Sequence, residues 1–158
     1  MGADTFYTEA TGKTAQEAFQ NAIDQARWEH GHGGYSGTIA EKGGRGFLLI
    51  TDSGKDIRLR IKETIKKTKD KLKNLKKAPG TDEEWKRRDL EEELFDLKHA
   101  LKNFPPKPTP RNIAHALVSM GDRRIDDKWG SAGCIDMTPK LTGKRKPKHF
   151  LFFGWASS

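Results

Sequence analysis

Two apolar stripes set back to back between Ile61 and Phe104 limit what this chain can become. Ile61, Ile65, Thr68, Leu72 and Leu75 alternate four and three residues apart, and Leu90, Leu94, Leu97, Leu101 and Phe104 repeat the pattern. Such spacing gathers each set along one face of a helix. Lys77-Ala78-Pro79-Gly80 lies between them, and proline followed by glycine ends a helix. The segment is expected to fold as an antiparallel helical hairpin. Its charges are sorted as well: residues 61–77 hold eight lysines against Glu63 and Asp70, whereas 81–103 hold eight acids against five bases. Opposite signs on neighbouring helices favour pairing within one chain. With the hairpin set at 57–106, residues 1–56 and 107–158 are left to form a core domain interrupted by it.

The core reads as short strands and helices. Thr5 to Ala10 suggests a strand that runs into Gly12-Lys13-Thr14. Thr14 and Glu17 have the spacing of a capping box, and Ala15, Ala18, Phe19, Ala22, Ile23 and Ala26 give the following helix a face of small residues that can lie close on a sheet. Gly31 is the expected stop. Tyr35 to Glu41 alternates like a half-buried strand, residues 42–46 read as a flexible hairpin loop, and Phe47 to Ile50 is a continuous apolar run of the kind found in central strands. Thr81 offers a second capping box. Pro105, Pro106, Pro108 and Pro110 form a stiff return, with Thr109-Pro110 as an N-cap and first helical residue. Ile113, Leu117 and Met120 then mark a short helix, and Ala132 to Met137 and Phe150 to Trp155 two last strands. The order predicts an α+β fold: a small sheet with two packed helices, in the ferredoxin-like split βαβ pattern plus an extra strand, carrying the inserted antiparallel hairpin.

Lys and Arg number 30 against 22 Asp and Glu, a formal net charge of +8. Excess positive charge favours phosphate-bearing partners, so nucleic acid or a nucleotide is the expected ligand class. Cys134 is the sole cysteine, which excludes an intramolecular disulfide and suits a reducing compartment. Met1 to Phe6 lacks the basic start and apolar run of a secretory leader, and no stretch reaches 18 apolar residues. A cytoplasmic protein without membrane contact is expected.

Several clusters could carry chemistry. Gly12-Lys13-Thr14 sits where a phosphate loop would, but Tyr7 occupies the place of that loop's first glycine; Lys13 is kept as an anion contact. Arg45-Gly46-Phe47 opens its strand as an RNA-recognition strand does, although Leu48, Leu49 and Ile50 supply no further aromatic; Arg45 is kept as a ligand contact. The densest polar and aromatic run surrounds His30 and His32. With too few neighbouring ligands for structural zinc, it predicts no metal or other cofactor, and Arg27, His30, His32 and Tyr35 become candidates for binding a ligand anion. Lys140, Lys144, Arg145, Lys146 and Lys148 form a basic loop, and Lys62, Lys66, Lys69 and Lys73 a stripe along the hairpin; both are candidates for nucleic-acid contact.

Two resemblances add to this. Ser131-Ala132-Gly133-Cys134, with fifteen residues between His115 and Ser131, resembles the His and Ser-x-Gly-Cys motif of L,D-transpeptidases, with Ala132 where that motif has His. The resemblance implies Cys134 as nucleophile, His115 as base, and the Gly133 and Cys134 amides as an oxyanion site. Separately, the block from His30 to Lys42 and the block Phe150-Leu-Phe-Phe-Gly-Trp-Ala156 resemble small accessory proteins encoded by bacteriophages and prophages. That likeness implies a binding role in host takeover or anti-defence, within the cytoplasm of a bacterial host. The hairpin would then serve as an arm for contact with a host protein or for self-association.

Overall fold

The computed structural model describes residues 2–75, 82–138 and 147–158. The chain divides into two compact units, one made of 1–52 with 109–158 and the other of 53–108.

The first unit is a four-stranded mixed sheet with helices on both faces. Strand β1 (Ala3–Gly12) leads to helix α1 (Ala15–His30), a 3-10 turn (Ile39–Lys42) and strand β2 (Phe47–Leu49); helix α4 (Pro110–Ser119), strand β3 (Ala132–Asp136) and strand β4 (Lys148–Ser157) complete it. The sheet order is β1-β4-β3-β2. β4 runs antiparallel to both β1 and β3, and β2 runs parallel to β3. It follows that β1, β2 and β3 all point the same way. The connection through α1 crosses the sheet from one edge to the other, and the connection through α4 steps back. Right-handed crossovers running in opposite directions must put their helices on opposite faces.

Side-chain alternation bears this out. Phe6, Phe150, Phe152, Ala156, Ala132 and Cys134 form one core with Ala18, Phe19, Ala22, Ile23 and Ala26 of α1. Tyr7, the neighbour of Phe6 and so on the other face, stacks on His115 of α4 with ring centroids 4.0 Å apart. Gly12 is required where β1 turns into α1, since a Cβ there would lie 2.5 Å from the Ala18 nitrogen. Beyond the end of β2, Arg124 donates to both carboxylate oxygens of Asp52 at 3.1 and 2.9 Å and to both of Asp122 at 3.0 and 2.9 Å. Those hydrogen bonds, to Asp122 foremost, drive the guanidinium pKa upward.

The α+β class stands, while two strand assignments change. Tyr35 to Glu41 is no strand: Gly34, Tyr35 and Gly37 take φ of +76°, +55° and +69°, values no strand accommodates, and the chain continues as the 3-10 turn capped by the Thr38 hydroxyl. With that strand gone, the ferredoxin-like order gives way to β1-β4-β3-β2. The run at Phe47 to Leu49 is an edge strand, not a central one, and Leu48 and Leu49 are exposed. The centre belongs to β4 and β3, whose residues are buried on both faces.

The second unit is an antiparallel pair, α2 (Gly54–Asn74) and α3 (Asp82–Asn103). Ile57, Ile61, Ile65 and Thr68 are buried along α2, and Leu97 and Phe104 along the other arm, in the register of the two stripes. Ser53 and Asp56 make a reciprocal capping box at the start of α2. Arg58 donates to the carbonyls of Phe104 and Pro105, which fixes the start of one arm beside the end of the other. The Pro79-Gly80 break and the Thr81 cap lie outside the described residues. Among those described, no helix is long and apolar enough to cross a membrane.

Candidate functional site

The first unit holds a lysine where none is expected. Lys42 is fully buried, and its Nζ donates to the carbonyls of Asp127, Lys128 and Gly130 at 3.1, 3.0 and 2.9 Å. Three acceptors match the three N–H bonds of an ammonium, whereas a neutral amine has only two to offer. Burial pulls its pKa down to about 8, Asp127 opposing and Arg45 adding to the shift. Residues 42–46, read from sequence as a flexible loop, therefore include an anchor that reaches across more than eighty residues of chain.

Beside it, Glu41 fixes the turn at Tyr35. Its Oε1 accepts from the Ser36 nitrogen at 3.0 Å and the Ser36 hydroxyl at 2.8 Å. Burial pushes the Glu41 carboxyl up, but these bonds, one from the Tyr35 backbone and the nearby Arg27 charge hold it below its ordinary value. Arg27 is thus part of the scaffold of this turn. Tyr35 itself meets Trp129 edge to face, centroids 6.3 Å apart at 88°, and Lys128 Nζ lies 5.4 Å over the Trp129 ring. Both rings remain open to water.

The structure separates the candidate ligand residues into two groups. The turn at Tyr35 is held at the start of β1, where Gly37 N donates to Ser157 O and a Gly37 Cβ would touch Asp4. Arg45 stands at the same end, its carbonyl accepting from the Ser131 hydroxyl. His30, 3.8 Å from Glu29, closes α1 there, and His32 follows it in the exposed turn. Lys13 is at the far end of β1, roughly 30 Å away at the 3.3 Å rise of a strand residue. Its neighbour there is Lys148, since Gly12 pairs with Lys148. Phe47 packs against Phe19 and Phe152, centroids 5.1 and 5.6 Å away, so its partly buried ring serves the core.

Cys134 and His115 do not form a pair. Cys134 is fully buried in the core on the α1 face, whereas His115 is exposed on the α4 face, with the sheet between them. Burial, with Asp136 adding, pushes the thiol up to about 12. A base cannot reach this sulfur, and a thiol so disposed is not a nucleophile near neutrality. The Ser-x-Gly-Cys likeness reflects a buried strand: a Cβ on Gly133 would strike the Phe153 ring at 2.6 Å.

On the second unit, Lys62, Lys66, Lys69 and Lys73 are all exposed, one position round the helix from the buried stripe. None lies within 4 Å of a carboxylate among the described residues. Lys140, Lys144, Arg145 and Lys146 fall outside the described residues, whereas Lys148 opens β4 and is exposed. Sequence reasoning missed Lys42, Lys128 and Trp129 as a group, because what joins them is a long-range bond with no local signature. No family model, curated protein or solved structure matches this chain.

Proposed function

We propose that the protein is a binding protein, not an enzyme, that docks on a phosphate-bearing polyanion, nucleic acid above all, through the lysine stripe of α2. The observation that carries this reading is the stripe itself. Four ammonium groups recur at four, three and four residues, all exposed and none neutralised by a carboxylate among the described residues. A one-turn repeat of cations on a straight helix suits a regular row of phosphates. The first unit carries cations of its own, Lys13 and Lys148, at one end of its sheet. The likeness of two blocks to phage accessory proteins accords with a role in host takeover or anti-defence. Replacing Lys62, Lys66, Lys69 and Lys73 together with Gln tests the reading: affinity for DNA or RNA should fall steeply, with the helix content unchanged. Undiminished binding by that variant would overturn it.

A second reading draws on exposed apolar side chains. Leu59, Trp85 and Phe95 of the helical pair are 57%, 67% and 69% exposed. Large aromatics left in water on an otherwise polar arm suit contact with a protein. A hairpin carrying Trp85→Ala and Phe95→Ala that still captured the same host protein would remove this reading.

A further inference from the structure

Two energetically costly features converge on one exposed spot. Tyr35 is the only non-glycine with positive φ among the described residues, at +55°. A bulky side chain in that region is strained and persists only where its surroundings over-determine it. Here the surroundings are Glu41, whose carboxylate fixes Ser36, and Gly34 and Gly37, which take positive φ on either side. The second cost is Lys42, a charge withdrawn from water. All three of its hydrogen bonds go to carbonyls of Asp127, Lys128 and Gly130, the residues that bracket Trp129.

The two devices hold the two halves of a single feature, the edge-to-face pair Tyr35 and Trp129. In spite of this scaffolding the rings are 53% and 45% exposed. A fold that needed them only as core would cover them. One cation lies on the pair, Lys128 over the Trp129 ring with its Nζ also donating to the Gly2 carbonyl, and Arg45 belongs to the same end of the sheet, its backbone joined to Lys42 and Ser131.

We infer that the Tyr35–Trp129 corner is a stacking platform for an unpaired base of a single-stranded nucleic acid, with Lys128 and Arg45 meeting its phosphates. Every base has a π face, so two rigid rings flanked by cations accept single strands with little regard to sequence. Bases in a duplex hide those faces, so the corner discriminates strand state. This rests on the polyanion reading above and names the substrate class for it.

The test uses the full chain with a fluorescein-labelled twenty-residue oligothymidylate and a duplex of equal length, at one fixed salt concentration. Tyr35→Gly removes the ring while putting the residue best suited to positive φ at that position, so folding is preserved. Trp129→Ala removes the other ring. Each is expected to weaken single-strand binding about tenfold, the loss of one stacked base, while duplex binding stays as in the wild type. Single-strand binding equal to wild type in both variants overturns the platform and leaves the lysine stripe standing. Failure of the wild type to bind either probe overturns both.

Discussion

At the scale of single residues, the first unit hides charge and thiol in ways that set measurable behaviour. Replacing Lys42 by Met fills the space but leaves three buried carbonyls without a donor, so Lys42→Met should lower stability by about 3 kcal/mol in urea unfolding. The loss should also free the segment 127–130, visible as faster hydrogen exchange there. Cys134 gives a pH signature. Its ordinary pKa is 9.0 and burial raises it to about 12. Between those values the unfolded chain releases a proton that the folded chain keeps, so stability falls as pH rises. The gap between wild type and Cys134→Ala should shift against the wild type by roughly 1.4 kcal/mol per pH unit above about 9 and be flat below. A thiol reagent at neutral pH should label Cys134 only when the chain opens.

At the scale of elements, those fixed by local chemistry are legible in the sequence, and those fixed by distant residues are not. The stripe from Ile61 to Leu75 carries its own period, and the buried face of α2 follows it. Thr109-Pro110 announces α4 by chemistry confined to four residues, and the reciprocal cap with Asn112 is present. Thr109→Ala should therefore cost about 1 kcal/mol, read as a shift in the urea midpoint. Tyr35 to Glu41 shows the other case. Its alternation mimics a strand, yet positive φ at Tyr35 and Gly37, and at Gly34 just before them, together with a carboxylate bonded to Ser36 make it a turn. Phe47 to Leu49 lies at the edge of the sheet for a related reason. An apolar run shows that a strand can be buried, but its position in the sheet depends on which other strands compete for the centre. β4 wins that place because it pairs along its whole length with β1 and through four residues with β3.

For the whole molecule, the α+β class was legible because helical and strand periods occupy separate stretches of sequence. The candidate sites were legible only as residue types. Lys13, Arg45 and the group Arg27, His30, His32 and Tyr35 are three separate ligand candidates in the sequence; β1 and α1 carry Lys13 to one end of the sheet and bring the others to the opposite end. His115 and Cys134 looked like a dyad, and a β-sheet separates them. No spacing rule reveals on which face of a sheet a helix will land. Charge behaves differently from the sorted pattern that favours pairing between the two arms: Lys62, Lys66, Lys69 and Lys73 all stand exposed on α2, with no carboxylate within 4 Å among the described residues.

The account rests on cationic surface free to meet phosphates, and counterion release measures that directly. Affinity for a single-stranded oligonucleotide, followed across a series of salt concentrations, should fall linearly on logarithmic axes. Its slope should shrink by about 0.7 for each of Lys62, Lys66, Lys69 and Lys73 removed. A slope near zero in the wild type, or one indifferent to those four lysines, would contradict the account.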